Sequence, residues 1–257
     1  QLVDMDIGIA NCLRRLEITL LIGIQHIINH RFAQDLADLQ MNVVRLGMLA
    51  SRQLNACLRA MSDFQAGQVD RLIEQDVELD NLQNVIDERV LSIITMRAPR
   101  ADDLRLVVTA ARVASDLERV GDYARNIANR TKVIATAGNE NIPGVNIGRM
   151  GQVTRDMLQD VMRAYATRDA DKALDVWRRD IEVDHMHTAF YKEVLASMSR
   201  DPNVVATGAH LLFIAKNIER IGDYATGIAE QIYFLVHGAV PEDSRPKADR
   251  TSRVVGV

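Results

Sequence analysis

Apolar residues recur every three or four positions over most of this chain. From His26 to about Gly67 the stripe runs Leu36, Leu39, Val43, Leu46, Leu49, Leu54, Leu58 and Met61, with no proline and one internal glycine, Gly47. That spacing predicts one long amphipathic helix. A second helix is predicted from about Gln68 to Met96, with Leu72, Val77, Leu79, Leu82, Ile86, Val90, Ile93 and Ile94 toward a core. Arg97-Ala98-Pro99-Arg100 ends it, because proline lacks the N–H that a helix needs. Asp102 or Asp103 is predicted to cap a third helix reaching about Ala137. The stretch from Gly138 through Pro143 to Gly144 reads as a domain linker. Three more helices follow, over about Val145–Thr167, Ala170–Met198 and Val204–His237. Beyond Gly238 the apolar period stops and Pro241 and Pro246 appear, so residues 239–257 are predicted to be a disordered tail. Residues 1–25 carry the apolar run Ile18–Ile24 behind Arg14, Arg15 and Glu17, and read as an extension, either an amphipathic helix or poorly ordered.

The two sets of three helices are copies of one unit. Ser115-Asp-Leu-Glu-Arg-Val-Gly-Asp-Tyr-Ala-Arg-Asn-Ile-Ala128 matches Lys216-Asn-Ile-Glu-Arg-Ile-Gly-Asp-Tyr-Ala-Thr-Gly-Ile-Ala229. Glu74-Gln-Asp-Val-Glu-Leu-Asp80 matches Arg178-Arg-Asp-Ile-Glu-Val-Asp184 more weakly, in the same order. The expected fold is therefore all-α, a tandem repeat of two three-helix bundles over residues 26–138 and 144–238.

Composition narrows the function more than the fold. A formal net charge of −4 and the absence of a Lys/Arg-rich run give no electrostatic footprint for nucleic acid. Cys12 and Cys57 are far apart and form no CxxC pair, which points to a reducing cytoplasm rather than a disulfide framework. No apolar run of about eighteen residues predicts a membrane span. P-loop, GxSxG and dinucleotide fingerprints are absent. Trp177 and the methionines read as core filling.

The chemistry that remains is carboxylate. Each half carries two acidic i,i+4 pairs: Asp76/Asp80 and Glu118/Asp122, then Asp180/Asp184 and Glu219/Asp223. Residues four apart share a helix face, and like charges there repel. A cation held by oxygen ligands would compensate them, as in bundles that hold multinuclear carboxylate sites. Solvation, or pairing with Arg119 and Arg220, would also suffice. Gly121 and Gly222 lie inside these helices at equivalent positions, which implies close approach by another helix or by a metal cluster. His187, three residues after Asp184, adds a nitrogen donor in the second half only, where the first has Gln83, unless it is a surface histidine. Tyr123 and Tyr224 follow the aspartates and either line the site or pack.

These residues resemble the PhoU family. The resemblance rests on the doubled ERxGD signature, Glu118–Asp122 with Asn126-Ile-Ala128 and Glu219–Asp223 with Ile228-Ala-Glu230. The loop Arg97–Arg105 and the opening His26-Ile27, Phe32 and Leu36 also fit, and the similarity spans about residues 26–238. It implies an elongated pair of bundles that is not an enzyme. It also implies a cytoplasmic negative regulator of phosphate uptake and of the phosphate regulon, in contact with the Pst phosphate ABC transporter's cytoplasmic subunits and a PhoR-type histidine kinase. Some members bind iron or zinc clusters at the (E/D)xxxD motifs. By position the candidate ligands are Asp76, Asp80, Glu118, Asp122, Asp180, Asp184, Glu219 and Asp223, with His187, Asn126 and Glu230 as additional candidates. Manganese or magnesium also suits such oxygen donors. Gly227 replaces the asparagine expected from Asn126, so the two sites are expected to differ. Two other readings stay open: a carboxylate-bridged metal enzyme with oxidase or phosphohydrolase chemistry, and a scaffold whose acidic pairs face water. A homodimer is compatible with the long apolar faces.

Overall fold

The computed structural model describes residues 2–63, 76–136, 145–242 and 247–254. The side chains of residues 2–28, 62–63, 76, 145–146 and 253 lie outside that description, as does the expected linker at 138–144. Among the described residues six α-helices follow in chain order: α1 (Leu2–Asp63), α2 (Asp76–Arg97), α3 (Ala101–Thr136), α4 (Val145–Thr167), α5 (Ala170–Arg200) and α6 (Val205–His237). There is no strand among the described residues. None of the described helices is long and apolar enough to cross a membrane. The expected all-α pair of three-helix units is what the chain builds.

The helix ends follow local chemistry. Asp169 caps α5, its side chain accepting from the Lys172 backbone N–H at 3.0 Å. Gly238 ends α6 at φ 73°, a left-handed conformation open to glycine without strain, and its N–H donates to the Phe234 carbonyl at 2.8 Å. Asp102 and Asp103 sit in the first turn of α3 rather than ahead of it, where their charge complements the helix dipole. α1 begins at Leu2, so residues 2–25 share one unbroken helix with the first bundle. Of the two readings for that segment, the helix is the one seen.

Burial follows the predicted stripes with a few exceptions. Leu79, Leu82, Ile86, Val90 and Ile93 are buried along α2; Val77 is exposed because it falls off the three-four rhythm of that face, and Ile94, four residues after Val90, is exposed at the stripe's edge near the end of the helix. Met150 and Met157 fill the core, while Met41, Met48 and Met96 lie outside it. Trp177 is buried and donates its indole N–H to Glu230 at 3.0 Å. Each fully buried aliphatic side chain contributes about 1.5–3 kcal/mol, so these stripes carry most of the favourable energy of folding.

The two units join through equivalent helices: α3 packs on α6, and α1 on α4. The contact is reciprocal. A Cβ on Gly47 would strike Met162, and one on Gly151 would strike Leu58. Gly151 is the repeat equivalent of Gly47 and Met162 that of Leu58, each pair lying 104 positions apart (151 − 47 and 162 − 58). Tyr123 and Tyr224, also equivalents, stack with ring centroids 5.8 Å apart. Residue i touching j while j's copy touches i's copy is the signature of a local two-fold axis. The absent side chains let α1 and α4 approach closely, so their glycines serve packing between units.

Asp116 breaks this symmetry. Its Oδ2 lies 3.7 Å from where a Cβ on Gly227 would stand. Burial raises its pKa from 3.8 to about 6, Arg112 opposes the rise, and Glu230 adds to it. Its repeat equivalent is Asn217. A carboxyl whose folded pKa lies above its unfolded value costs nothing below the unfolded pKa and loses stability as pH rises through the folded one. Asp116→Asn is therefore expected to stabilise the protein at pH 7 by about 1–2 kcal/mol, less than the full shift because the carboxyl is only half-buried. The gain should vanish near pH 4. Denaturant unfolding at both pH values reads this, and an equal effect at both would refute the assignment.

Candidate functional site

Each acidic constellation forms where the middle helix of a unit faces its third helix. In the first unit α2 carries Asp76 and Asp80, and α3 carries Glu118 and Asp122. In the second, α5 carries Asp180 and Asp184, and α6 carries Glu219 and Asp223. The three-four period that buries one face of α3 and α6 also fixes where these carboxylates point, because Glu118 and Glu219 each follow a fully buried residue, Leu117 and Ile218.

The first constellation is open and held by arginines. The side chains of Glu118 and Asp122 are 21% and 25% exposed. Arg125 Nη2 donates to Asp122 Oδ1, Arg119 Nη1 stands 3.7 Å from Asp122 Oδ2, and Arg119 Nε stands 3.6 Å from Glu118 Oε2. Glu118 is pushed above its ordinary pKa by burial first, then by the charge of Asp122, with Asp80 adding to the rise. The influence of Asp80 shows that the α2 and α3 pairs converge electrostatically. Asp80 is itself exposed, and the side chain of Asp76 lies outside the described residues.

The second constellation is closed. Asp180, Asp184 and Glu219 are only 2%, 3% and 5% exposed, and His187 beside them is 2% exposed. The surface-histidine reading therefore does not hold: His187 is in the interior. Lys216 Nζ donates to Glu219 Oε1 at 2.7 Å. Burial raises Glu219 to about 7, a rise opposed by Lys216 and strengthened by Asp223. Glu219 Oε2 and His187 Nδ1 are buried with no hydrogen-bond partner.

What closes it is the segment expected to be a disordered tail. Ala248 donates its backbone N–H to Asp184 Oδ2 at 2.6 Å, and Arg250 N–H donates to Thr188 Oγ1 at 3.1 Å. Asp249 Oδ2 lies 3.6 Å from His187 Nδ1 and 3.4 Å from Lys216 Nζ. Residues 247–254 thus lie against α5 and α6, ending in a short 3₁₀ turn at Thr251–Arg253. Their polarity concealed this, because the contacts that hold them are polar and leave no apolar period in the sequence.

Lys216 and Asp249 were outside the predicted set. Lys216 had a signal, since Ser115 occupies its equivalent position. Asp249 had none, lying beyond the repeat. Of the additional candidates, Asn126 is exposed on α3, and Glu230 accepts from Trp177. Tyr123 and Tyr224 stack on each other, and Arg220 Nη1 donates to Tyr123 Oη at 3.2 Å.

The two interior glycines have different reasons. A Cβ on Gly121 would lie 2.9 Å from Leu79 Cδ1 and 3.1 Å from Gln53 Oε1. One on Gly222 would lie at an ordinary 3.6 Å from Asp180 Oδ1 and Val183 Cγ1. Helix packing demands the first glycine but not the second.

The PhoU domain matches twice, over residues 43–131 and 147–232. The phosphate-specific transport system accessory protein PhoU homolog of Caulobacter vibrioides is 38% identical over 222 residues, covering 86% of this chain and 96% of that protein. The protein of the same description from Rhizobium meliloti is 36% identical over 226 residues, covering 88% and 95%. The crystal structure of PhoU from Pseudomonas aeruginosa superimposes with a TM-score of 0.79 at 31% identity, covering 81% of this chain and all of that one. The chain belongs to the PhoU family.

Gly222→Ala is expected to raise the melting temperature by a few degrees, since alanine is better than glycine in a helix by about 1 kcal/mol. Gly121→Ala should lower it, because overpacking a close contact costs about 1–3 kcal/mol and outweighs that gain. Equal shifts in a thermal melt would show that the two environments do not differ as described.

Proposed function

We propose that this protein is a cytoplasmic accessory regulator of a phosphate-specific transport system, acting by binding rather than by turnover. The observation that carries the reading is the doubled PhoU domain, matched over nearly the full length of relatives described as phosphate-specific transport accessory proteins. In this reading the protein restrains phosphate uptake when phosphate is plentiful, and passes the transporter's state to a PhoR-type sensor kinase. Two units with related faces suit an adaptor, since each can engage a different partner.

The acidic pairs are proposed to hold metal. Their donor set fits: carboxylates in excess, repelling one another in a partly dry environment, are what a di- or trivalent cation neutralises. In the second unit two buried polar atoms without hydrogen-bond partners, His187 Nδ1 and Glu219 Oε2, favour this reading. In the first, Arg119 and Arg125 supply the counter-charge and would have to swing away. A bound cation would supply charge neutralisation there, while Asp122 and Asp223 would lock the facing helices together. Iron or zinc suits the second site, where an imidazole is at hand.

Disruption of the gene is expected to switch on phosphate-starvation genes in phosphate-rich medium, and purified protein should retain the transporter's ATPase subunit in a pull-down. Unchanged expression together with no retention would sink the regulatory reading. Elemental analysis of purified protein should show less bound metal in Asp122→Ala and Asp223→Ala, and undiminished content in both would leave the pairs a structural role only, solvated or arginine-paired in the first unit and buried in the second.

A further inference from the structure

The closed site joins to Glu219 of the repeated motif two donors that the repeat does not encode, His187 and Asp249. His187, Glu219 and Asp249 come from α5, from α6 and from the C-terminal segment. Among the described residues His187, Glu219 and Asp249 place their ligand atoms within 4.8 Å of one another. Two of these residues carry a buried polar atom without a hydrogen-bond partner, His187 Nδ1 and Glu219 Oε2, and are 2% and 5% exposed. Buried polar atoms in that state are rare in folded proteins and call for an explanation, an ion among them.

Asp249 is oriented for the purpose. Its Oδ1 accepts from the Thr251 N–H at 2.9 Å and the Thr251 hydroxyl at 2.8 Å, which fixes the carboxylate and turns Oδ2 toward His187. This is how outer partners commonly set a ligating carboxylate. The backbone bonds of Ala248 to Asp184 and of Arg250 to Thr188 hold the segment on either side. Lys216 Nζ, 2.7 Å from Glu219 and 3.4 Å from Asp249, supplies the positive charge between the carboxylates. Neither the lysine nor the histidine has a counterpart in the first unit, where Ser115 and Gln83 stand.

We propose that His187, Glu219 and Asp249 form a site for a divalent transition cation of the zinc class, which displaces Lys216 and latches the C-terminal segment onto the second unit. One imidazole with two carboxylates suits borderline cations such as Zn²⁺ better than Mg²⁺ or Ca²⁺. A metal about 2.0–2.2 Å from each ligand needs only a small inward shift of these side chains. The proposal extends the reading that the acidic pairs bind metal, with which it shares Glu219, but its defining ligand is Asp249.

The test uses the full chain and Zn²⁺ alone. Zinc binding is followed by calorimetry, and the latch by amide hydrogen exchange of the peptide covering 247–254. Zinc should slow exchange in that peptide, and Mg²⁺ should not. Asp249→Asn, which removes the defining carboxylate, should abolish the zinc-induced slowing and weaken one binding event by at least the roughly tenfold that changes to groups behind a ligand cost. Lys216→Met should strengthen that event, since the competing charge is gone. Glu118→Gln, in the first unit, should leave the slowing intact. Zinc binding and slowing unchanged by Asp249→Asn would overturn the latch. If zinc binding then disappeared in Glu118→Gln, the acidic pairs would stand as metal sites without it. Failure of the wild type to bind zinc would overturn it as well, while the regulatory reading would still be judged by gene expression.

Discussion

The contact between equivalent helices, α1 on α4 and α3 on α6, governs the rest of this molecule. Glycines 47 and 151 let α1 and α4 approach until Met162 and Leu58 fill the space that their missing side chains leave. Core packing tolerates little volume error, so this reciprocal fit fixes the two units against each other. The Tyr123–Tyr224 stack marks the axis between them. α3 and α6 are shared by their own bundle and by the interface between bundles. Their acidic motifs therefore sit on the two most heavily packed helices, and their positions are set by burial rather than by the carboxylates themselves.

Burial also explains why the two acidic sites differ. A carboxylate taken out of water must find a compensating charge or hydrogen bond, or else shed its own charge. In the first unit Arg119 and Arg125 reach Asp122 from its own helix, and the site stays partly wet. In the second, Asp184 takes a backbone N–H from the C-terminal segment and Glu219 takes Lys216, leaving one oxygen of Glu219 without a partner. The same motif thus meets two dielectric environments. A cation arriving at the first site competes with guanidinium groups, whereas one arriving at the second competes with Lys216 and meets an imidazole.

Much of this architecture was legible in the chain. Helix positions followed from the three-four period, and the pairing of segments followed from the repeat, since both are local or self-referential properties of a sequence. Val77 was misplaced because apolar identity was read without strict attention to phase, and Ile94 because the edge of a stripe near a helix end is decided by what packs beside it. Gly121 and Gly222 looked alike in sequence and differ in space, where Leu79 crowds one and Asp180 stands off the other. The Gly227 departure has a neighbour, Asp116, that lies over a hundred residues away and is invisible to any local pattern.

By itself the sequence determined the all-helical doubled unit and the eight carboxylates, because periodicity and repetition are written along the chain. Tertiary structure decided which carboxylates are dry, which cation each one meets, and that His187 is interior. It also placed Asp249, from a stretch with no apolar rhythm, beside His187 and Lys216. Polar segments are held by hydrogen bonds and charge, which depend on where distant groups fall in space. Only the folded chain brings those groups within reach.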